Sequence, residues 1–400
     1  MDHLLGQPRI QGLLGSYGRR AVRVQLEVCL EELRQKLAHS AGRVDLGKEL
    51  ESLPERLLSA LKTRYGHPSR RVINATGIFL HTNLGRAPLP AEILPGVFEL
   101  AGDASDLELD LATGRRGDRN RRVVIWLREL TGAESALVVN NNAAALVLAV
   151  AALAAGREVV LSRGELIEIG GGFRIPEILE AAGARLREVG TTNRTYLEDY
   201  RRALGPKTGL ILKVHASNYR QTGFVASVPL EALVGLAREH GVPLLFDQGS
   251  GLLRPRPEPA LQGEPSLAEA MAQGVDLACG SADKLMGGPQ AGILVGRSEL
   301  IERLVRHPLA RALRLDRLRL VALEAVLRKH HAGEALPLDR LWPEPAAHRR
   351  RLERVAAAVG ARIVRAEAFV GGGAAPERAI PGLALALEVG AEQSLPDARR

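Results

Sequence analysis

The residue with the clearest chemical potential is Lys284, in the segment GSADKLMGGPQAG. It follows the apolar stretch VDLACG and precedes a glycine pair, so its neighbours are small and weakly polar. Burial in such a segment lowers the pKa of an amine and frees its lone pair for imine formation. The glycines permit close approach of a flat ligand. Lys284 is therefore a candidate imine-forming lysine, although one lysine is not specific for that chemistry by itself.

A second candidate, Asp247, lies in the segment FDQGSG at the predicted end of a strand. A carboxylate there can hold a protonated pyridine nitrogen and keep the ring an effective electron sink. An aspartate at a strand end is equally often a turn or helix cap. The order of Asp247 and Lys284 across one strand and loop is that of the aspartate-aminotransferase-like enzymes, which use pyridoxal 5'-phosphate. Ser281, three residues before the lysine, could donate a hydrogen bond to the cofactor phosphate.

Three asparagines, Asn140, Asn141 and Asn142, follow the apolar run ALVV and open a predicted helix. Free backbone N–H groups and the positive end of a helix dipole favour a phosphate at such a position. Simple capping by asparagine is the alternative. With Asp247 and Lys284, the asparagines predict a three-point site for pyridoxal 5'-phosphate.

Several arginines lie in glycine-rich or proline-rich segments close to these candidates. Arginine forks bind phosphate-type oxyanions with two hydrogen bonds, so a group of them suggests a second phosphorylated ligand. The arginines are Arg86 in HTNLGRAPLP, Arg115, Arg116 and Arg119 in TGRRGDRN, and Arg311 and Arg314 in HPLARALRLD.

The elements that must position these residues alternate between short β-branched runs and helical stretches. This alternation predicts an α/β fold with a mostly parallel, helix-covered sheet. The predicted strands are ALVV (136–139), EVVL (158–161), ARLREV (184–189), GLILKV (209–214), VPLLF (242–246) and AGILVG (291–296). We predict a helical domain over residues 1–66, a large cofactor-binding domain over 67–310 and a small α+β domain over 311–400.

The first 66 residues place leucines at helical spacing in two stretches, which predicts two amphipathic helices. Their basic residues form either an ordinary solvated face or a docking surface for a polyanion. The basic residues are Arg19, Arg20, Arg23, Arg34, Lys36, Arg43 and Lys48.

Composition sets wider bounds on function. The net charge of +8 is compatible with a polyanionic partner but also with an arginine-rich genome. The two cysteines, Cys29 and Cys279, are far apart, which fits a reducing cytoplasm and not a disulfide framework. No apolar run is long enough to cross a bilayer, no secretion signal is recognisable, and no Cys/His cluster has zinc spacing. We therefore expect a cytoplasmic protein without a membrane span or a metal.

The chain also resembles a known family, the bacterial selenocysteine synthases or L-seryl-tRNA(Sec) selenium transferases. The resemblance runs in order from about residue 70 to residue 330. It is carried by RVINATGIFLHTNLGRAPL, DLATGRRGDR, NNNAAA, SRGELIEIGGGFRIPEI, VGTTNRT, LKVHASNYRQTGF, DQGSG, SADKLMGGPQAG and HPLARALRLD.

The resemblance implies the aminotransferase-like fold type I, with pyridoxal 5'-phosphate on Lys284 and the ring nitrogen at Asp247. It implies that seryl-tRNA(Sec) becomes selenocysteinyl-tRNA(Sec) through a Schiff base and an aminoacrylyl intermediate, with selenophosphate as the selenium donor. Arg86, Arg311 and Arg314 would then bind the selenophosphate oxyanion. The amino-terminal helices would bind tRNA(Sec), and the protein would be a homo-oligomer built from dimers, a decamer in the family.

Two departures from the family pattern and some open choices remain. Gln248 stands where the family often has a smaller or apolar residue, which should change only the loop's hydrogen bonds. The family's last strands are not matched after about residue 388, so we expect a shortened small domain.

His215 and the SRGE loop (162–165) are candidates to face the cofactor ring. The alternatives are a related lyase acting on a small amino acid or amino sugar phosphate, and a non-catalytic tRNA-binding protein.

Overall fold

The computed structural model describes residues 1–39, 45–66, 69–376 and 378–387. One compact unit comprises Met1–Ile73, and a second begins at Asn74. The boundaries predicted at 66/67 and 310/311 stay predictions. The segment after residue 388, where we expect a shortened small domain, lies outside the described residues.

The first unit is helical. Its helices are α1 (Asp2–Leu5), α2 (Pro8–Tyr17), α3 (Arg19–His39) and α4 (Leu46–Tyr65). The side chain of Asp45 caps α4 by accepting hydrogen bonds from two backbone N–H groups of its first turn. Leu53, Leu57 and Leu61 form a stripe four residues apart and are fully buried against Leu26 of α3. The apolar spacing thus gives this unit a core of its own.

The basic residues predicted to form a docking surface are exposed on these helices, except that Arg43 lies outside the described residues. Some of their charge is already paired. Arg23 contacts Glu27 at 3.0 Å, Arg34 contacts Glu31 at 3.1 Å, and Lys36 contacts Glu49. Arg20 and Lys48 are exposed and have no ion pair within the described ranges. The net positive field of this surface is consequently weaker than a count of its basic residues suggests.

The second unit is built around a seven-stranded sheet. The strands of this unit are β1 (Leu109–Asp110), β2 (Arg115–Arg116), β3 (Ser135–Val139), β4 (Glu158–Ser162), β5 (Glu168–Ile169), β6 (Phe173–Arg174), β7 (Arg185–Val189), β8 (Thr208–Val214), β9 (Leu244–Gly249), β10 (Leu277–Ser281), β11 (Gly292–Gly296), β12 (Arg362–Phe369) and β13 (Ala379–Ala386). The sheet has the order β3-β11-β10-β9-β8-β4-β7. Within this sheet β11 runs antiparallel to β10 and β3, and the other neighbouring strands are parallel to each other.

Helices cover this sheet on both faces. The helices of the second unit, not all of which contact the sheet, are α5 (Leu94–Gly102), α6 (Arg121–Thr131), α7 (Asn142–Ala154), α8 (Ile175–Ala181), α9 (Leu197–Ala203), α10 (Leu230–His240), α11 (Leu267–Ala272), α12 (Ser298–Arg306), α13 (Pro308–Ala312), α14 (Arg317–Ala332) and α15 (Pro345–Val359). Alternate strand residues enter two apolar clusters. In β8, for example, Ile211 belongs to one cluster, and Leu210 and Leu212 belong to the other. Burial on both faces explains the continuous apolar runs of these strands.

All six strands predicted from the sequence are present, within a few residues of the predicted ends. The sequence did not predict β10, because LACGS is short and contains a glycine and two small polar residues. It also did not predict that β11 is antiparallel. Ten residues, which include Lys284, join β10 to β11. This short connection allows β11 to run antiparallel to β10.

The last described part of the chain places α15 against the antiparallel pair β12 and β13. The end of β12 returns to the beginning of the second unit. Phe79 and Leu80 donate backbone hydrogen bonds to Phe369 and Val370 at 3.0 and 2.8 Å. Val370 is buried in one apolar cluster with Leu80 and Leu285. This contact brings residues near the end of the chain close to the segment that carries Lys284.

Candidate active site

Asp247 lies in β9 on the face covered by α7. Leu245, two residues earlier in the strand, packs into the apolar cluster that contains the buried residues of α7, and residues two apart in a strand share a face. Its side chain is buried. Asn142 donates a hydrogen bond from Nδ2 to Asp247 Oδ1 at 2.8 Å. Burial raises the pKa of the Asp247 carboxyl, and the Asn142 hydrogen bond and the charge of Lys284 act in the opposite direction. The carboxylate is therefore held in place by one directed donor and one nearby amine.

The three asparagines have three different contacts at the start of α7. Asn141 caps the helix by accepting a hydrogen bond from the Ala144 backbone N–H at 2.8 Å. Asn140 donates its backbone N–H to the Leu313 carbonyl at 3.0 Å. Asn142 binds Asp247, and its own Oδ1 is buried without a hydrogen-bond donor among the described residues. The capping role is thus seen at Asn141, and the role of the asparagines in binding a ligand stays a prediction.

Lys284 follows β10 in the loop before β11, and its side chain is only 6% exposed. Burial lowers the pKa of its amine, and the charges of Asp247 and Asp283 act in the opposite direction. The parallel strands β9 and β10 end at the same edge of the sheet, which brings Asp247 and Lys284 together. The geometry therefore provides a desolvated amine beside a buried carboxylate.

Ser281 ends β10, and its backbone lies against the loop after β9. An added Cβ at Gly251 would overlap the Ser281 carbonyl group, so only glycine fits there. Gln248 is fully buried and organises the same loop. It accepts a hydrogen bond from the Gly251 N–H at 2.7 Å and donates one to the Pro265 carbonyl at 2.8 Å. These hydrogen bonds tie Gln248 to the loop after β9.

His215 follows β8 and lies on the same edge of the sheet. Its Nε2 is 3.3 Å from Oε1 of the buried Glu264, and neither atom has a well-oriented hydrogen bond within the described residues. Burial acts to raise the pKa of Glu264, but His215, Ser250 and the Ala375 backbone together outweigh this effect and the pKa is lowered. Both side chains line a cavity of about 720 Å³ that also contains Glu165 of the SRGE loop.

The three arginines predicted to bind an oxyanion lie in two places. Arg86 pairs with Asp283, the residue before Lys284, at 2.7 Å. Arg86 also adopts a left-handed backbone conformation with φ of 59°, which is unusual for a residue with a side chain. This conformation and the ion pair fix its guanidinium next to the lysine segment.

Arg314 belongs to a second group centred on Glu108, which it contacts at 3.4 Å. Arg116 and Arg119 contact the same carboxylate at 2.7 and 3.3 Å. Burial lowers the pKa of the Arg119 guanidinium, and the nearby positive charges of Arg314 and Arg311 lower it further. An excess of positive charge over one carboxylate suits an anion-binding site.

The structure thus brings Lys284, Asp247 and Asn142 together and places Asn140 beside the segment that contains Arg314. The sequence did not point to Cys279, Glu264 or Asp283. Cys279 faces Asp247 across β9 and β10, where burial raises the pKa of its thiol well above the ordinary value. Only the register of the two strands, which no local pattern reveals, makes Cys279 a neighbour of the carboxylate.

These residues fit a pyridine-based aldehyde cofactor. A buried carboxylate matches a ring N–H, a desolvated amine matches the aldehyde, and the start of α7 offers free N–H groups for a phosphate. The buried Oδ1 of Asn142 has no donor among the described residues, so it is free to accept a hydrogen bond from a bound group. No cluster of three or more metal-binding side chains occurs in the described part of the chain.

Residues 72–398 match the family described as L-seryl-tRNA selenium transferase, and residues 1–34 match the Selenocysteine synthase N terminal family. The L-seryl-tRNA(Sec) selenium transferase of Carboxydothermus hydrogenoformans is 46% identical over 86% of this chain and 74% of that protein. The enzyme of the same name from Geotalea daltonii is 43% identical over 98% of this chain and 87% of that protein.

Among solved structures, D-glucosaminate-6-phosphate ammonia-lyase superposes with a TM-score of 0.58 at 21% identity, over 78% of this chain and 79% of that one. Together with the sheet order, this similarity shows the fold, which is the α/β, aspartate-aminotransferase-like fold type I with a helical amino-terminal part. More narrowly, the chain belongs to the L-seryl-tRNA selenium transferase family. The predicted fold class, the predicted family and the prediction of a transferase are confirmed.

Proposed function

We propose that this protein converts L-seryl-tRNA(Sec) to L-selenocysteinyl-tRNA(Sec), with selenophosphate as the selenium donor and pyridoxal 5'-phosphate held on Lys284. The observation that carries the proposal is the family match over most of the chain, in which the matched segment supplies a buried lysine beside a buried aspartate. In this reaction the β-hydroxyl of the seryl group leaves as water and a bond between the β-carbon and selenium forms. Water then cleaves the selenium–phosphorus bond of the donor and phosphate is released.

Lys284 would hold the cofactor and then move the α-proton of the seryl group. Bound pyridoxal 5'-phosphate supplies an electron sink next to the α-carbon. Burial lowers the pKa of the Lys284 amine below the ordinary value of 10.5. More of the released amine is therefore unprotonated at a given pH and able to accept the α-proton. Loss of that proton allows the β-hydroxyl to leave.

Asp247 would hold the ring nitrogen in its protonated form, which requires the carboxylate to be ionised. Burial disfavours ionisation and raises the pKa of Asp247, so the ionised form would depend on the hydrogen bond from Asn142 and the positive charge of Lys284, which act in the opposite direction. The N–H groups at the start of α7, together with Asn140, Asn141 and Ser281, would bind the phosphate. Asn142 would serve the carboxylate rather than the phosphate, which sharpens the role that we predicted for it.

Arg86, Arg311 and Arg314 would bind the oxyanion of selenophosphate. The placement of Arg86 against Asp283, and of Arg314 with Arg119 on Glu108, supports this assignment because both groups adjoin segments of the cofactor site. The exposed basic residues of α3 and α4 would bind tRNA(Sec).

The cytoplasmic location that we expect also stays a prediction. None of the helices within the described residues combines the length and apolar composition needed to cross a membrane.

A homo-oligomer built from dimers is part of the proposal. Large apolar side chains remain exposed on three helices that pack together, α5, α6 and α14. Phe98 is 65% exposed, Ile125 is 49% exposed and Leu318 is 46% exposed. Exposed apolar surface of this kind is typical of a subunit interface.

The test compares the wild-type protein with Lys284→Ala and with the control Lys207→Ala, an exposed lysine of the second unit. Purified wild-type protein should show the visible absorbance of lysine-bound pyridoxal 5'-phosphate. It should also form selenocysteinyl-tRNA(Sec) from seryl-tRNA(Sec) and selenophosphate, as read by mass spectrometry of the released aminoacyl group. Lys284→Ala should lose both signals, and Lys207→Ala should keep both.

Persistence of the absorbance in Lys284→Ala would contradict the assignment of the lysine. A cofactor-loaded wild-type protein that eliminates from a free amino acid or an amino sugar phosphate, but not from seryl-tRNA(Sec), would be the alternative lyase. A protein that binds tRNA(Sec) without any cofactor absorbance would be the non-catalytic alternative.

A further inference from the structure

The loop after β12 contains three consecutive glycines that all have a left-handed backbone. The φ angles are 73° at Gly371, 66° at Gly372 and 75° at Gly373. Residues with a side chain rarely adopt this conformation, and a run of three is unusual even for glycine. We infer that contacts with neighbouring residues hold the backbone of this loop in its conformation.

Contacts on both sides fix that conformation. Before the glycines, the backbone of Phe369 and Val370 is hydrogen-bonded to Phe79 and Leu80. After them, the Ala375 N–H donates to the buried Glu264 carboxylate at 3.3 Å. An added Cβ at Gly372 would lie 2.6 Å from the Leu80 carbonyl oxygen, and one at Gly371 would overlap the side chain of Ile78. The first two glycines are thus needed for the loop to lie in this position.

Gly373 differs from the other two because it faces the lysine. An added Cβ there would lie 3.3 Å from Lys284 Nζ and 3.8 Å from both Ser217 Oγ and Asn218 Cβ. A separation of 3.3 Å from the amine is shorter than ordinary van der Waals contact between carbon and nitrogen. The backbone at Gly373 is therefore a wall of the space immediately around the Lys284 amine.

We propose that Gly373 is a specificity-determining position: its missing side chain leaves the room that a group joined to the Lys284 amine must occupy. The proposal rests on the proposed function of Lys284. A methyl group at this position would leave a small reagent free to reach the amine but would obstruct a large planar aldehyde. The space around the lysine is thus shaped by a loop from the last part of the chain, far from Lys284 in sequence.

The test uses Gly373→Ala and the matched control Gly360→Ala. Gly360 has a φ of 67°, so an alanine there experiences the same kind of backbone strain, but its Cβ would meet nothing within 4 Å. Two aldehydes are compared on protein freed of cofactor: formaldehyde, which is small, and pyridoxal 5'-phosphate. Each is trapped on Lys284 by borohydride reduction, and the rate of labelling is measured by peptide mass spectrometry.

In Gly373→Ala we expect the ratio of the pyridoxal 5'-phosphate rate to the formaldehyde rate to fall about tenfold or more, since small displacements at a reacting centre have effects of that size. Gly360→Ala should keep the wild-type ratio. Taking a ratio separates the size effect from loss of folded protein, which would change both rates. If Gly373→Ala does not fold, Gly373→Asn with Gly360→Asn replaces the pair, because asparagine tolerates a left-handed backbone better.

An unchanged ratio in a folded Gly373 variant would overturn the proposal. An equal fall in the Gly360 variant would also overturn it, because strain and not contact with the amine would then be the cause. Failure of the proposed function is a separate outcome, since wild-type protein would then show no labelling of Lys284 by pyridoxal 5'-phosphate at all.

Discussion

At the scale of single residues, the candidate site depends on how two buried groups, Asp247 and Lys284, affect each other's charge. Asp247 is driven towards its neutral form by burial and kept towards its ionised form by Asn142 and Lys284. Lys284 is driven towards its neutral, reactive form by burial and opposed by Asp247 and Asp283. A functional site uses such opposed effects because neither burial nor charge alone gives a reactive amine beside an ionised carboxylate.

The pH dependence of Lys284 reactivity follows from this balance. Burial places its pKa below the ordinary value of 10.5, so its reductive methylation should rise with pH with a midpoint below 10.5. Between that lowered pKa and 10.5 the unfolded chain binds more protons than the native protein, so this group's contribution to stability rises with pH. The measurement is labelling of the Lys284 peptide as a function of pH, in native and urea-unfolded protein.

The unfolded protein provides the control, because its lysine should titrate at the ordinary value. Asp247→Asn should lower the native midpoint further, since the Asp247 charge raises the pKa of Lys284. A native midpoint equal to that of the unfolded protein would show that Lys284 is not desolvated.

At the scale of elements, the start of α7 is held in place by its close contact with β11. Gly292 of β11 lies beneath Asn141, and an added Cβ would overlap the Asn141 carbonyl group and lie 3.0 Å from the Asn142 nitrogen. The atoms it would meet belong to the backbone and cannot rotate away. Gly292 thus allows the helix end to reach Asp247.

Gly292→Ala should therefore force the start of α7 away from the sheet. We expect a loss of about 1–3 kcal/mol in the free energy of unfolding, as is usual for overpacking. Affinity for pyridoxal 5'-phosphate should weaken as well, because Asn142 would move off Asp247. The measurements are urea denaturation of the cofactor-free protein and titration with the cofactor.

Gly382→Ala is the matched control. Gly382 lies in β13 and has no atom within 4 Å of an added Cβ, so the change should alter stability by less than about 0.5 kcal/mol. Equal stability of the two variants would mean that α7 adjusts freely and that Gly292 does not fix the helix end.

At the scale of the whole molecule, the first unit has its own apolar core, centred on Leu26, Leu53, Leu57 and Leu61. The second unit contains the sheet and all the residues of the candidate site. Binding of the cofactor and binding of tRNA are therefore expected to be separable. A unit with its own core can be removed without opening the core of the other.

Deletion of residues 1–66 should leave cofactor absorbance intact and weaken binding of tRNA(Sec) by tenfold or more, on the order expected when several phosphate contacts are lost. The measurement is fluorescence anisotropy of labelled tRNA(Sec) at several salt concentrations. In the full-length protein, Arg20→Glu combined with Lys48→Glu should weaken binding and reduce its salt dependence.

Arg187→Glu is the control for a change of charge, because Arg187 is an exposed arginine of the second unit. It should alter tRNA affinity much less than a substitution in the first unit. Unchanged affinity after the deletion would show that tRNA(Sec) is bound elsewhere.

The sequence by itself determined the fold class, six strands of the central sheet and the family, and it predicted Asp247 and Lys284 as a pair. It could do so because continuous apolar runs, helical leucine spacing and glycine-rich strand ends are local signals. The ordered family segments added the proposed substrate, which no local signal contains.

Tertiary structure alone decided the contacts that make these residues a site. Asn142 reaches Asp247 over 105 residues of sequence, and Arg86 reaches Asp283 over 197. Cys279 is a neighbour of Asp247 only through strand register, and Gly373 meets Lys284 only because β12 returns to the start of the second unit. Such contacts depend on which strands pair and in which order, and that order is set by packing of the whole chain rather than by any one segment.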